Sequence, residues 1–140
     1  MEAPQALADL VEISAQIESA VLGSADGTVL GSTIADAERS EAVVREALAL
    51  LEAAHGPAGE PTQAEATFPD GSFFVVRDDE RLVAAVTGRD PTVGLVFYDL
   101  KTCLRLAGEA PEKPAKAAAA GGRRRKKKVD EEGAAGDGEA

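Results

Sequence analysis

Hydrophobic side chains recur every three or four positions in three segments of the chain, and this pattern predicts three helices. The first helix covers residues 5–20, where the apolar spacing continues as far as Ile17. The second covers residues 36–55 and starts at Asp36, a residue type whose side chain caps helix N-termini. The third covers residues 91–107.

The third helical segment has two further features. Asp90 and Pro91 stand at its start, which suits a cap followed by the first helical position. Gly94 lies inside the segment, where glycine is a poor helix former. We expect Gly94 to be there because a neighbouring element packs closely against it.

Residues 20–33, AVLGSADGTVLGST, place two short runs of strand-forming residues around Asp26-Gly27. Asp-Gly is typical of a tight two-residue hairpin turn, because both positions of such a turn need positive φ angles. A phosphate-binding loop would need a Lys before the Ser or Thr that follows its last glycine, and Thr28 follows Gly27 with no Lys nearby. The stretch is therefore predicted to be a β-hairpin.

Three more strands are predicted in close succession, at Thr62–Phe68, Ser72–Arg77 and Arg81–Thr87. The connections between them are so short that neighbouring strands must be antiparallel. The first run, TQAEATF, alternates polar with small apolar residues, which is typical of an edge strand with one wet face. The other two runs are richer in apolar side chains and are predicted to be central.

The second helix carries more apolar surface than one neighbour requires. At ~100° per residue its apolar side chains span roughly 160°, against ~100° for one packing face. The arc contains Val43, Val44, Ala47, Leu48, Leu50, Leu51 and Ala54, and the opposite side carries Glu38, Glu41, Arg45 and Glu52. We expect two apolar neighbours for this helix. Its acidic side either faces solvent with a Glu41–Arg45 pair or meets a basic patch on a partner.

Charge and composition narrow the function classes. Residues 1–108 contain 7 Lys/Arg against 18 Asp/Glu, and a body this acidic repels nucleic acids and anionic membranes. No apolar run approaches the ~18 residues of a membrane span. The first ten residues lack the basic and apolar regions of a signal peptide. We therefore expect a cytoplasmic protein.

The residue types needed for catalysis are sparse. His55, the only histidine, follows the second helix, where its charge would favour the helix C-terminus. Cys103, the only cysteine, lies on the apolar stripe of the third helix and is expected to be a core residue. Asp78, Asp79 and Glu80 are adjacent acids in a predicted turn and are expected to point into water. We predict no enzyme activity, no metal site and no cofactor.

The composition changes after Gly108. Residues 109–140 contain one large aliphatic side chain and no aromatic one, so they are predicted to form a disordered tail. The tail includes six contiguous cations, Arg123, Arg124, Arg125, Lys126, Lys127 and Lys128. Three roles stay open for them: solubility, screening of the acidic body, or binding to phosphate, anionic lipid or nucleic acid.

Taken together, the predicted elements occur in the order helix, hairpin, helix, three-stranded meander, helix. Over about residues 7–107 this order resembles the roadblock (dynein light chain) family, in the prokaryotic form that works with small Ras-like GTPases. The resemblance is carried by SAVLGSADGTVLGST, DGSFFVVRDDERLVAAVT and GLVFYDLKTCLRL. It implies an α+β fold, with a five-stranded antiparallel sheet between the first and last helices on one face and the middle helix on the other.

The resemblance also implies a function. Such chains usually form homodimers in which the middle helices lie side by side and the first meander strand pairs with its twin. The implied interface is Val43, Ala47, Leu50, Ala54, Ala64, Ala66 and Phe68, although each helix residue among them is equally compatible with an ordinary core position. The implied role is a non-catalytic regulator or scaffold that binds a small Ras-like GTPase, with Glu38, Glu41 and Glu52 facing the partner. The alternatives are a small-ligand sensor of the PAS or profilin-like kind and a module anchored by its tail.

Overall fold

The computed structural model describes residues 1–108. The predicted tail, with its cations at 123–128, lies outside the described residues. The elements are α1 (Ala3–Ile13), β1 (Ile17–Ser24), β2 (Val29–Ser32), α2 (Ala37–Ala53), β3 (Gln63–Phe68), β4 (Gly71–Arg77), β5 (Arg81–Thr87) and α3 (Val93–Gly108).

The five strands form one antiparallel sheet in the order β2-β1-β5-β4-β3. The predicted fold class is therefore confirmed. β3 is an edge strand, and β4 and β5 are central, as their side-chain patterns indicated. The turn at Pro69-Asp70 holds β3 and β4 in a regular register from Gln63 opposite Val76 to Phe68 opposite Gly71.

The helices divide between the two faces of the sheet. α1 and α3 cover one face, where Leu7, Leu100 and Phe74 lie in the larger hydrophobic core. α2 covers the other face alone, with Ala47 and Leu51 packed over the apolar side chains of β4 and β5. This is the arrangement that the resemblance implied.

α2 begins as predicted. The Asp36 carboxylate accepts hydrogen bonds from the backbone N–H groups of Glu38 at 2.8 Å and Arg39 at 3.3 Å, which satisfies two of the free donors at the helix start. Its last residue is Ala53, so the helix ends before His55 and Gly56.

The first helix is shorter than predicted, because α1 ends at Ile13. Ser14 has extended backbone angles, φ −102° and ψ 97°, which turn the chain towards the sheet. Ile17 is a strand residue opposite Thr87, and its side chain belongs to the core beneath α1 and α3. Its seven-residue spacing from Leu10 mimicked the continuation of the helix.

The hairpin is confirmed, but its predicted two-residue turn is wrong. The N–H of Gly27 donates to the Ser24 carbonyl at 3.0 Å, and the N–H of Ser24 donates to the Thr28 carbonyl at 2.8 Å, so three residues lie between the hydrogen-bonded pair Ser24 and Thr28. Only Gly27 takes a positive φ, 98°. The connection is therefore a turn followed by one residue in the left-handed conformation. It needs a positive φ angle at one position only, whereas the tighter two-residue turn needs positive φ angles at two.

The Asp26 carboxylate stabilises this turn through hydrogen bonds to other residues of the turn. It accepts hydrogen bonds from the Ser24 hydroxyl and from the N–H of Thr28 at 3.1 Å. These bonds, led by the one from Ser24, hold the pKa of Asp26 below its usual value. Asp26 therefore acts by accepting hydrogen bonds, which is a different role from the positive φ that the sequence suggested.

The start of α3 also differs from the prediction. The helix begins at Val93, and Asp90, with a φ of 56°, stands too far before it to be the N-cap. Thr92 precedes the helix, and its N–H donates to the side-chain carbonyl of Gln16. A Cβ added to Gly94 would meet nothing within 4 Å, so the expectation of close packing at Gly94 is wrong.

Gly27 and Gly94 give a matched pair of stability predictions, because a Cβ meets no neighbouring atom at either position. Gly94→Ala should raise the free energy of unfolding by about 0.5 kcal/mol, since alanine loses less backbone entropy in a helix. Gly27→Ala should lower it by about 1 kcal/mol, since alanine is strained at a φ of 98°. Urea unfolding at one fixed protein concentration measures both values, and equal shifts of the same sign would contradict the assignment of these two backbone conformations.

Candidate partner-binding surface

α2 sits close to the sheet because Gly23 on β1 has no side chain. A Cβ at Gly23 would lie 2.9 Å from Val44 Cγ2 and 3.1 Å from the Thr28 carbonyl oxygen, which is closer than such atoms pack. Val44 fills this space and is fully buried. The glycine therefore lets α2 pack closely against β1.

The β3 side of the same face is left partly uncovered. Ala64 and Ala66 stand opposite Val75 and Phe73 in the β3–β4 register, so they project to the face that carries α2. Ala64, Ala66 and Phe73 are half-buried. Phe68, next along this row, is 58% exposed. A row of apolar side chains thus runs beside α2 at the edge of the sheet.

The structure divides the apolar arc of α2 into two parts. Val44, Ala47 and Leu51 are buried against the sheet. Val43 and Leu50 are half-buried, and Ala54 is exposed at the end of the helix. We define the α2–β3 surface as these last three residues together with the apolar row of the sheet edge: Val43, Leu50, Ala54, Ala64, Ala66, Phe68 and Phe73.

Ala47 does not belong to this surface. Its exposed fraction is 0%, and it packs within the core between α2 and the sheet of a single subunit. Its sequence position lies on the same apolar arc as Val43 and Leu50, so the sequence could not separate it from them. For Ala47 the core interpretation is therefore the correct one.

The outer edge of β3 has few features that block pairing. Its register with β4 contains no bulge, and QAEATF contains no proline and no lysine. Alternate backbone N–H and C=O groups of β3 face away from β4, where the described part of the chain supplies no further strand. Such an edge is available for pairing with another strand.

The predicted acidic side of α2 is solvent-exposed. Glu38, Glu41 and Glu52 are all exposed, and the helical period places them on one side together with Arg45. Glu41 and Arg45 form no ion pair within residues 1–108, so the salt bridge expected there is absent. The three carboxylates are therefore accessible from solvent.

A polar cleft that the sequence analysis missed lies beside the C-terminal half of α2. Its volume is ≈ 320 Å³, and its lining includes Leu48, Glu52, Glu60, Arg77 and Asp79. Arg77 pairs with Glu60 at 2.9 Å. Three carboxylates against one guanidinium leave this cleft acidic, so it extends the negative side of α2.

The candidate catalytic residues lie apart. His55 is exposed just beyond α2, whereas Cys103 is buried in α3 on the opposite side of the sheet. Cys103 Sγ donates to the Ala6 carbonyl at 3.6 Å. Burial, together with the nearby Asp9 carboxylate, raises the pKa of the Cys103 thiol to about 11, which is the opposite of the change that activates a nucleophile.

Residues 1–108 offer neither a clustered set of metal ligands nor a membrane-spanning helix. No group of three or more His, Cys, Asp or Glu side chains in this range is arranged to hold a metal ion. Within the same range, none of the helices has the length and apolar character to cross a bilayer.

Solved structures with a similar fold identify the architecture. A Roadblock/LC7 domain from Streptomyces avermitilis matches with a TM-score of 0.68 and 19% identity, over 76% of this chain and 94% of that one. MglB from Myxococcus xanthus matches with a TM-score of 0.62 and 12% identity, over 75% of this chain and 91% of that one. Profilin II from Acanthamoeba castellanii matches with a TM-score of 0.52 and 11% identity, over 77% of this chain and 98% of that one.

These matches confirm the predicted roadblock fold, which profilin shares more distantly. No protein-family model matches the sequence, and no curated protein matches it either. The family likeness is therefore one of three-dimensional structure.

The buried thiol gives a prediction about reactivity. The pKa of the Cys103 thiol is about 11 in the folded chain and 9.0 for an ordinary cysteine, which represents the unfolded chain. At pH 8 the fraction of Cys103 present as thiolate should therefore be about 100-fold smaller in the folded chain. Labelling by a thiol-specific disulfide reagent should therefore be at least about 100-fold slower in buffer than in denaturant. The thiol form is favoured by folding, so this protection should weaken as the pH rises above 9.0. Equal labelling rates in the two conditions would contradict the buried position.

Proposed function

We propose that the chain is a homodimeric regulator or scaffold that binds a small Ras-like GTPase and modulates its nucleotide cycle. The observation that carries the proposal is the α2–β3 surface, where a half-buried apolar side of a helix adjoins an unblocked strand edge. The GTPase as partner class rests on the resemblance of the sequence to the prokaryotic roadblock form that works with small Ras-like GTPases, and the shared roadblock fold supports that resemblance. The partner-binding groups proposed for it are the exposed carboxylates of α2.

A two-fold axis beside β3 would cover both parts of the surface at once. Antiparallel pairing of β3 with its copy continues the sheet and satisfies the outward backbone groups. The same operation brings two α2 helices together, so that Val43 and Leu50 meet their counterparts. Phe68, which is the most exposed large hydrophobic member of the surface, loses contact with water at the same interface.

The GTPase would approach the helical side of this dimer. Glu38, Glu41 and Glu52 lie away from the apolar part of α2, so pairing leaves them accessible. Two copies double this acidic area, and such an area attracts a basic patch and accelerates association. The acidic cleft around Glu60 and Asp79 lies beside it and adds to the same potential.

The alternatives fit the described residues less well. A small-ligand sensor needs a pocket of about 300–1,000 Å³ with convergent polar groups in an apolar lining. The apolar pocket between α1 and α3 measures ≈ 140 Å³. Of the larger ones, the cleft beside α2 is lined by charged groups, and the depression of ≈ 400 Å³ around Val76, Leu104 and Arg105 lies wide open to solvent, so it would not enclose a small ligand. Tail-mediated anchoring depends on residues outside the described range and stays a prediction.

The dimer proposal is tested by Leu50→Asp. Placing a carboxylate at the centre of the surface should weaken self-association at least about 100-fold, or ~2.7 kcal/mol, because the charge would be buried without a partner. Sedimentation velocity at tens of micromolar should find a dimer for the wild type and a monomer for the variant.

Two further variants make this test decisive. Phe68→Asp changes an exposed side chain, so it should also give a monomer without loss of helical circular dichroism. Leu30→Asp lies on β2 at the opposite edge of the sheet and should remain dimeric. A monomeric wild type, or a dimer that survives both Leu50→Asp and Phe68→Asp, would rule out this interface.

The GTPase proposal is tested with charge reversals on the full chain. A small Ras-like GTPase captured by the wild type should show an altered rate of GTP hydrolysis or nucleotide release when the chain is added. Glu38→Lys/Glu41→Lys/Glu52→Lys should slow association about tenfold and reduce its salt dependence. Glu2→Lys/Glu12→Lys/Glu18→Lys changes the net charge equally but avoids α2, and it should bind as the wild type does. Equal loss in both triple variants would leave only a general charge effect.

A further inference from the structure

The outward side of the α1–α3 layer carries large apolar side chains that no other described residue covers. Ile13 is 74% exposed and Tyr98 is 66% exposed, the two highest values among the large hydrophobic residues of the described range. Both line a groove of ≈ 140 Å³ between the two helices. The groove is lined otherwise by Ala6, Asp9, Leu10, Asp99, Thr102, Cys103 and Leu106.

α3 carries a second stripe besides the one that faces the core. Leu95, Tyr98, Thr102 and Leu106 are spaced by three and four positions, so they share one side of the helix. The core stripe, with Val96, Leu100 and Leu104, lies on a different side and is fully used by the sheet and α1. Leu95 is 49% exposed, although a helix with one neighbouring layer has no need of it there.

The shape of the groove suits a helix. Two packed helices leave a furrow between them, and side chains repeating every three or four positions along it match the ridges of a third helix. Amphipathic helices bind such grooves through apolar anchors of the same spacing. A volume of ≈ 140 Å³ is below the ~300 Å³ that drug-sized ligands require, so it accepts individual side chains instead.

The rim of the groove is acidic. Asp9 and Asp99 stand on its two sides, and neither forms an ion pair with another described residue. α1 contains no Lys or Arg and presents Glu12 as well. On α3, Lys101 and Arg105 line a different pocket, next to Val76. The influence of Asp9 on the Cys103 thiol places its charge close to the groove floor.

The acidic rim indicates which kind of partner the α1–α3 groove can bind. The body of a second copy in the groove would set acids against acids, and an anionic membrane would be repelled. The chain's own cations at 123–128 are followed by a single large aliphatic residue, Val129, so that segment supplies charge without a row of apolar anchors. The groove also lies across the sheet from the α2–β3 surface, so the proposed dimer would leave it open. A partner that carries both cationic and apolar side chains complements the acidic rim and the apolar floor of the groove.

We propose that the α1–α3 groove docks a cationic amphipathic helix of another protein. Its apolar anchors contact Ile13, Leu95 and Tyr98, and Lys or Arg residues on its flanks pair with Asp9 and Asp99. Docking does not depend on the GTPase or on dimerisation, so it gives the chain a second interaction surface on the opposite side of the sheet.

The chain carries its own reporter for this test, because Tyr98 is the only tyrosine and tryptophan is absent. The ligand to use is a synthetic helix without aromatic residues, with Leu at i, i+3, i+4 and i+7 and Lys at the flanking positions. Titration into the full chain at low salt should change the Tyr98 emission saturably, and added salt should weaken the binding.

Variants of the groove should change the affinity for this peptide. Ile13→Asp and Leu95→Asp should each weaken it at least about tenfold, with little effect on folding because both side chains are exposed. Asp9→Asn/Asp99→Asn should weaken it and remove most of its salt dependence. Leu30→Asp, an exposed leucine far along the sheet on β2, should leave the affinity unchanged.

Two matched peptides decide the outcome. A scrambled peptide of the same composition should bind at least about tenfold more weakly, and a peptide with Glu in place of Lys should not bind detectably. The proposal is overturned if the scrambled peptide binds equally, if Ile13→Asp and Leu95→Asp retain full affinity, or if Tyr98 does not respond up to the solubility limit. Leu50→Asp should bind the peptide as the wild type does, so failure of the dimer and failure of the groove are separate results.

Discussion

A single helix is too narrow to cover a five-stranded sheet, and the rest of this structure follows from that mismatch. Strands lie ~4.8 Å apart, so the outer strands are separated by roughly 19 Å, whereas a helix with its side chains is about 10 Å across. α1 and α3 together cover one face. Among the described elements α2 alone covers the other, and it packs closely on β1 at Gly23. Part of what it leaves uncovered is at β3, where Phe68 is exposed.

The same reasoning explains how much the sequence could predict. The cap at Asp36, the alternation in TQAEATF and the short connections of the meander are local features, and each of them predicted its element or position. Their order identified the fold. Ile17 and Ala47 were assigned wrongly because each lies on a regular apolar pattern whose true neighbour is set by tertiary packing. The periodicity of apolar residues determines on which side of its helix or strand a residue lies. It does not determine which other element packs against that side.

The two surfaces differ in how well they could be predicted from the sequence. The acidic side of α2 and the apolar arc were evident from helical spacing. The exposed stripe of α3 was hidden because it adjoins the core stripe, and Leu95 and Tyr98 can be told from Val96 and Leu100 only when the sheet is in place. The polar cleft depends on Arg77 reaching Glu60 across the chain, a pairing fixed by the register of β3 and β4 and by the bond from the Arg77 N–H to the Thr62 carbonyl.

The unbulged edge of β3 has a consequence for how selectively this chain would pair with related chains. Backbone hydrogen bonds are the same for every sequence, so an unbulged strand edge without lysine or proline accepts any strand of similar length. In a dimer joined there, discrimination between the chain's own twin and a paralogue would fall to the side chains of the α2–β3 surface, among them Val43, Leu50 and Ala54 on the helix. Small changes at these three helix positions would then be enough to convert a self-pairing subunit into one half of a mixed pair, without any alteration of the sheet.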